Sequence, residues 1–160
     1  MFTPSNVEMM KAHLYILRNS EEVAPYVTDH MRSIRTSYPA WTDQHVLNEH
    51  IRTFVYWFGS AVMGKAVSET LKWLAFRPSP AVRAFSCYDI NGYSFATKRQ
   101  DEKSTTQNSG VTLISEALHV SSRKDKNPLY ANMAYYGVIE DIWELDYVCF
   151  QVAVFRCKWV

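Results

Sequence analysis

The sequence predicts an α+β fold, in which an N-terminal helical segment precedes an antiparallel, small-barrel-like β region that looks truncated at its C-terminus. Three observations lead to this prediction. An apolar stripe with helical spacing runs through the first half, an Asn-Gly pair separates two apolar runs in the second half, and 14% of the residues are aromatic. Bulky aromatic side chains are more typical of β-containing cores than of lean helical bundles. The 160 residues suffice for one compact domain or two small ones.

Helical signals occupy the first half of the chain. The short apolar run 13–17 fits either a strand or the end of a helix, whereas Pro25 favours the first turn of a helix over residues 25–35. Thr42 is a suitable N-cap for a longer helix that runs to about Met63. The expected apolar face of this longer helix consists of Leu47, Ile51, Phe54, Val55, Phe58 and Val62.

A break in the pattern follows the next helix. Ser68 is expected to cap a short helix over residues 69–76, and the Pro-Ser-Pro sequence after it stops that helix. The pattern before this point is helical and the pattern after it is mostly that of strands. The sequence therefore predicts two domains, a helical one over 1–77 and a β-rich one over 78–160 that is incomplete at its C-terminus.

The strongest strand signal is a hairpin in which Asn91 and Gly92 separate the apolar runs 82–90 and 93–97. An Asn-Gly pair favours a type I′ turn, because both central residues of that turn need positive φ angles.

A polar stretch over 98–110 then predicts an exposed, mobile loop. Residues 111–120 are expected to form another strand, although Glu116-Ala117-Leu118 leaves a helical alternative open.

The last block, 133–160, is typical of two long antiparallel strands joined by a turn near residues 147–149. The predicted register places Glu140 opposite Arg156, a cross-strand pair that contributes up to about 1 kcal/mol. The apolar parity of the second strand shifts by one residue along its length, which indicates a bulge or a bend. Because the sequence stops inside this apolar strand, the β domain is expected to be cut short.

Composition excludes several classes of protein. With 17 Lys and Arg against 16 Asp and Glu, the net charge is +1, which argues against binding nucleic acid by bulk electrostatics alone. The three cysteines form no CxxC pair, so neither a zinc ribbon nor a thioredoxin-like motif is expected. The N-terminus lacks the pattern of a signal peptide, and no apolar run is long enough to span a membrane. The chain is expected to be soluble and intracellular, without membrane association.

Catalytic motifs are not visible in the sequence. It contains no GxSxG, GxxxxGK[ST] or GxGxxG pattern. His45 and His50 are five residues apart on a helix, which turns them too far from each other to share a metal ion. The acidic group near the end of the chain fits a solvated strand face better than a catalytic cluster; it consists of Glu140, Asp141, Glu144 and Asp146. The chain is therefore expected to be no enzyme and to need no cofactor.

Two sets of residues are candidates for contacts with other molecules. A basic loop, with Arg123, Lys124 and Lys126, is a candidate for nucleic-acid contact, because basic side chains bind phosphates while neighbouring aromatic rings stack on bases. A solvated loop remains the alternative interpretation. The aromatic residues Tyr136, Trp143 and Trp159 are candidates for binding a peptide.

Several strings, taken together, resemble a known family. The chain is similar to the downstream region of plant En/Spm (CACTA) transposon-encoded transposase-like proteins. The strings that carry the resemblance are HIRTF, VSETLKWLAF, YDINGYSFATK, QNSGV, SSRKDKNP, YYGVIEDIWELDY and VFRCKWV, in this order from His50 to Val160. The resemblance implies two adjacent domains of unknown function, of which this chain holds the tail of one and the start of the next.

The resemblance also implies a function. In such proteins the transposase core lies upstream, so no catalytic residue is transferred to this chain. The chain is expected to be a non-catalytic accessory region in the nucleus, contacting DNA or other transposase subunits, or a degenerate fragment without a function of its own. The alternative is a stand-alone small β-barrel reader module that binds a peptide or a chromatin partner through its aromatic residues.

Overall fold

The structure is a computed structural model that describes the backbone of residues 1–119 and 129–160 and the side chains of residues 1–114 and 134–160. It confirms the α+β class, with helices in the first half and antiparallel sheets in the second. The described residues divide into two compact units. Unit 1 contains Met1–Arg83 and Glu144–Val152, and unit 2 contains Ala84–Trp143 and Ala153–Val160.

Four helices belong to unit 1. Their bounds are Asn6–Arg18 for α1, Ala24–Ser37 for α2, Asp43–Val62 for α3 and Glu69–Phe76 for α4. None of the helices described by the structure is long and apolar enough to cross a membrane.

The first helix begins at a capping box. The Ser5 side chain accepts a hydrogen bond from the Glu8 backbone N–H at 3.2 Å, and the Glu8 carboxylate accepts one from the Ser5 N–H at 3.1 Å. These two bonds satisfy amide groups that have no partner inside the helix. The ambiguous run 13–17 is therefore the end of a helix and not a strand.

The predicted starts of α2, α3 and α4 are confirmed. The hydroxyl of Thr42 accepts from the His45 N–H at the start of α3, and the hydroxyl of Ser68 accepts from the Leu71 N–H at the start of α4, both at 3.2 Å. Pro25 lies in the first turn of α2. All three starts follow from the same cause, which is the need to satisfy or remove the free amides of the first turn.

The buried face of α3 is rotated from the predicted one. Ile51 is 43% exposed, whereas Val46 and His50 are buried at spacings of four residues before Phe54 and Phe58. Because residues four apart share a helix face, the observed stripe includes a histidine that the apolar pattern alone left out.

The second half of the chain contains six strands and a short helix within the described residues. The strands are Arg83–Phe85 (β1), Cys87–Ile90 (β2), Tyr93–Ala96 (β3), Gly110–His119 (β4), Leu129–Asp146 (β5) and Gln151–Trp159 (β6), and Lys98–Asp101 forms the helix α5. Strand β5 pairs with β1, β4 and β6 in a four-stranded sheet, while β2 and β3 pair only with each other. The described strands do not close into a barrel, so the barrel-like expectation is corrected to an open sheet and a separate hairpin.

The Asn-Gly hairpin is confirmed. Ile90 pairs with Tyr93 across the turn, where Asn91 has a φ of 51° and Gly92 a φ of 81°. The expected strand before the turn is divided into β1 and β2 at Ser86. The helical alternative for residues 116–118 is wrong, because β4 continues in register with β5 as far as His119.

The polar stretch 98–110 has more structure than predicted. Its first residues form α5, which ends at Asp101, and this carboxylate accepts from the backbone N–H of Asn108 at 3.0 Å and of Ser109 at 2.8 Å. Hydrogen bonds from Ser109 and Asn108 hold the pKa of Asp101 below its usual value. A single aspartate therefore fixes the end of this loop to its start.

The terminal hairpin follows the predicted register at its open end. The Val160 N–H donates to the Tyr136 carbonyl at 2.8 Å, which is the pairing that continues the predicted register. At the turn, the Tyr147 N–H donates to the Phe150 carbonyl at 2.9 Å. Between these two bonds β5 contains one residue more than β6, so the extra residue lies in the first strand of the hairpin, whereas the parity shift predicts a bulge or bend in the second.

The bulge changes one predicted contact. Arg156 forms an ion pair with Asp141 and not with its predicted partner Glu140. The extra residue in β5 explains the difference, because the register counted from the turn places Asp141 opposite Arg156.

Candidate interaction sites

The aromatic residues proposed for peptide binding differ in exposure. The side chain of Tyr136 is 62% exposed and that of Trp159 is 46% exposed, whereas Trp143 is only 7% exposed. Trp143 is a core residue of unit 2, so its ring is not accessible to a peptide. Trp159 packs against Gly137, the residue after Tyr136, so the two exposed rings lie at the same end of the hairpin but on opposite faces of the sheet.

Further large apolar side chains lie nearby on β4 and β5. The register of β4 and β5 places Leu113 opposite Tyr135 and Ile114 opposite Ala134. All of the apolar side chains in this group are more than a third exposed: Leu113 41%, Ile114 69%, Tyr135 37%, Tyr136 62% and Trp159 46%. We call these five residues the hairpin-end surface.

The hairpin-end surface occupies both faces of the sheet. Residues directly opposite each other in a sheet share a face, and successive residues alternate between faces. Ile114 and Tyr136 therefore lie on one face, and Leu113, Tyr135 and Trp159 lie on the other. Adjacent residues in sequence point in opposite directions, so a short stretch of chain offers apolar side chains to both sides.

The basic residues proposed for nucleic-acid contact, Arg123, Lys124 and Lys126, lie outside the described residues. Of the residues predicted to contact other molecules, Tyr136 and Trp159 are the ones that the structure describes as exposed.

A buried pair of histidines in unit 1 was not predicted. His30 on α2 and His50 on α3 are 4% and 0% exposed, and their Nδ1 atoms are 2.7 Å apart. The Thr53 hydroxyl donates to the Glu49 carbonyl at 2.7 Å and lies 3.3 Å from His30 Nε2. This hydroxyl can accept only from a protonated Nε2, so neutral His30 carries its proton there and accepts at Nδ1 from His50.

This proton arrangement leaves one polar atom without a partner. His50 Nε2 is buried and has no hydrogen bond among the described residues. Burial, with the nearby His30 and Arg18, lowers the pKa of His50 to about 4. Burial also lowers the pKa of His30, against the opposing charge of Glu49. Both imidazoles are therefore neutral near pH 7, and the pair joins α2 to α3.

A second buried histidine contact lies within unit 1. His13 Nδ1 is 2.7 Å from the Tyr147 hydroxyl, and both side chains are almost completely buried. Burial and the charge of Arg77 lower the pKa of His13 to about 4, and burial raises the pKa of Tyr147. The two contacts occupy the Nδ1 atoms of His13, His30 and His50. The described residues contain no group of three or more side chains that could hold a metal ion.

A polar groove of about 430 Å³ lies within unit 2. Its walls include Arg99 from α5, Glu140 and Asp141 from β5, and Arg156 from β6. Two of the four residues in the predicted acidic group thus face arginines across a shared groove. The sequence predicts a solvated acidic face, whereas in the structure Glu140 and Asp141 share a groove with two arginines.

Comparison with protein-family models, with curated proteins and with solved structures gave no match for this chain.

Proposed function

We propose that this chain is a non-catalytic accessory region of a transposon-derived, transposase-like protein, and that it contacts a protein partner through the hairpin-end surface. The transposase context is supported by the sequence strings that resemble plant En/Spm proteins. The contact role is supported by one observation, the exposure of five large apolar side chains on the neighbouring strands β4, β5 and β6.

The free energy of exposed apolar side chains falls when a partner covers them. Burying apolar surface contributes about 25 cal/mol per Å² removed from water. Three members of the hairpin-end surface, Leu113, Tyr135 and Trp159, share one face of the sheet. Exposed apolar patches mark interaction sites when they are large. Tyrosine and tryptophan are also the side chains that most often dominate binding energy in protein interfaces.

The same surface favours a protein over DNA as the partner. Its five members carry no charge, whereas DNA binding relies on Lys and Arg contacts to phosphates. The DNA contact proposed for Arg123, Lys124 and Lys126 stays a prediction from the sequence. The nuclear location is likewise proposed from the resemblance alone.

The second candidate is a stand-alone reader module that binds a peptide through Tyr136 and Trp159. It uses the same exposed rings, so binding by itself does not separate the two candidates. The genomic locus does: the accessory role predicts a transposase core encoded upstream in the same locus. The reader role predicts an isolated gene with its own promoter.

The binding experiment uses the polypeptide encoded immediately upstream at the locus. We expect the purified chain to form a complex with it in sedimentation velocity, and we expect the double variant Tyr136→Ser with Trp159→Ser to lose that complex. The matched control is Tyr93→Ser, which removes an aromatic ring that is 72% exposed elsewhere in unit 2. Equal binding by the double variant and the control, or no complex with the unchanged chain, would contradict the proposal.

A further inference from the structure

We infer that the polar groove of unit 2 is a second binding site, and that it takes a short peptide segment carrying one acidic and one basic side chain. The groove and the hairpin-end surface have no residue in common. The inference therefore goes beyond the proposed function and is tested separately.

One arginine and one carboxylate of the groove are already paired. Arg156 forms an ion pair with Asp141, and its guanidinium lies 6.0 Å from the centre of the Trp143 ring. An arginine engaged by a carboxylate and an aromatic face is largely neutralised and held in place. The ion pair therefore forms part of the groove wall and does not offer a free charge to a ligand.

Two other charges in the groove are uncommitted. Within the part of the chain that the structure describes, neither Arg99 nor Glu140 has a hydrogen-bond or ion-pair partner, and both side chains are exposed. The free guanidinium is suited to a carboxylate, and the free carboxylate to an ammonium or guanidinium group. The groove thus offers one site of each sign.

Hydrogen bonds fix the backbone segments that carry these two charged residues. The Thr97 hydroxyl caps α5 by accepting from the Gln100 N–H at 3.3 Å, which positions Arg99. Asp101 at the end of α5 accepts from the Ser109 N–H at 2.8 Å. The Ser109 carbonyl in turn accepts from the Ile139 N–H at 2.8 Å, next to Glu140. These bonds connect the backbone of α5 to the backbone of β5 beside Glu140, and a backbone that is already ordered loses less entropy on binding.

The size and lining of the groove define the ligand class. Its volume of about 430 Å³ lies at the lower end of the roughly 300–1,000 Å³ typical of small-ligand sites, which suits a few residues of peptide and not a folded domain. Phe85 adds an apolar wall, packed edge-on against Tyr88 with ring centres 5.3 Å apart. The four charges of the walls sum to zero, so a ligand of a single sign meets repulsion as well as attraction.

Binding is tested with capped tripeptides and nuclear magnetic resonance of the full chain. The probes are acetyl-Lys-Ala-Glu-amide, acetyl-Glu-Ala-Lys-amide, the corresponding Glu-Ala-Glu and Lys-Ala-Lys peptides, and Ala-Ala-Ala as the blank. We expect one of the two mixed peptides to give saturable shifts in the backbone amides of residues 84–86, 97–99 and 140–141. The single-sign peptides are expected to bind about tenfold more weakly or worse, because each meets one like charge.

Charge reversal at Arg99 and Glu140 tests binding without disturbing the core, because both side chains are exposed. Arg99→Glu and Glu140→Lys are each expected to weaken the preferred peptide about tenfold or more, and the double reversal is expected to prefer the mixed peptide of the opposite order. The matched controls are Lys98→Glu and Glu102→Lys, which change exposed charges beside the groove and are expected to leave the affinity unchanged. Absence of saturable shifts with both mixed peptides would overturn the inference. So would preferential binding of the Glu-Ala-Glu peptide that Glu140→Lys strengthens, since that result describes a plain anion site.

Discussion

Replacing His50 with Gln tests whether the buried histidine pair controls the stability of unit 1 in acid. Glutamine keeps an N–H donor for His30 Nδ1 but does not titrate. The ordinary pKa of histidine is 6.5, and the folded protein lowers the pKa of His50 to about 4. Because the folded state disfavours the charged form, the unfolded state binds more protons between these two values. Stability is therefore complete above pH 6.5 and falls as the pH decreases toward 4.

The size of the effect follows from the two pKa values. Between pH 7.5 and pH 5 a group that titrates at 6.5 when unfolded and at about 4 when folded loses about 2 kcal/mol of stability. His13, whose pKa is also lowered to about 4, contributes a similar loss, so the two together account for about 4 kcal/mol. His30 acts in the same direction. His50→Gln is expected to reduce the pH-dependent loss by about 2 kcal/mol.

The assay is urea unfolding followed by far-ultraviolet circular dichroism at pH 7.5 and pH 5, since helices α1 to α4 all belong to unit 1. The control variant is His45→Gln, which replaces an exposed histidine on the same helix. We expect the control to retain the full loss of stability in acid. If His50→Gln loses as much stability as the unchanged chain between the two pH values, the reasoning from burial is wrong.

Three further predictions concern single positions. Thr42→Ala removes the acceptor for the His45 N–H and is expected to lower the free energy of unfolding of unit 1 by about 1 kcal/mol, measured with urea; an unchanged value would exclude a capping role. Gly137→Ala places a Cβ atom 2.6 Å from Trp159 Cε3, so the ring must turn away and its indole resonance is expected to shift; an unshifted resonance would contradict the packing. Gly92→Ala forces alanine to a φ of 81° and is expected to destabilise the β2–β3 hairpin by about 1 kcal/mol, seen as faster amide exchange there, whereas unchanged exchange would argue against the I′ turn.

Local signals in the sequence predicted much of the fold. Thr42 and Ser68 marked the starts of two helices, because a hydroxyl at the N-cap satisfies a specific free amide. Asn91 and Gly92 marked a turn, because few residues adopt positive φ without strain. The Ser5 and Glu8 capping box has the same kind of local signature, and it identifies the run 13–17 as part of a helix, which the apolar pattern alone does not.

Features that depend on distant pairing could not be obtained in this way. The His30 and His50 contact joins two helices, and nothing in the spacing of either helix specifies the other partner. The only local hint is that His50 lies four residues after Val46 and four before Phe54, in the middle of the buried face. Likewise, the apolar character of Trp143 and Trp159 is the same in the sequence, and only the pairing of the strands buries the first and exposes the second.

Hydrogen–deuterium exchange of the chain, alone and in complex with the polypeptide encoded upstream, tests the central proposal most directly. We expect complex formation to slow exchange at residues 110–114, 134–137 and 158–160, where the hairpin-end surface lies, and to leave the exchange rates of helices α1 to α4 unchanged. Protection confined to those helices, or no difference between the free and mixed samples, would contradict a role for this surface in binding a protein partner.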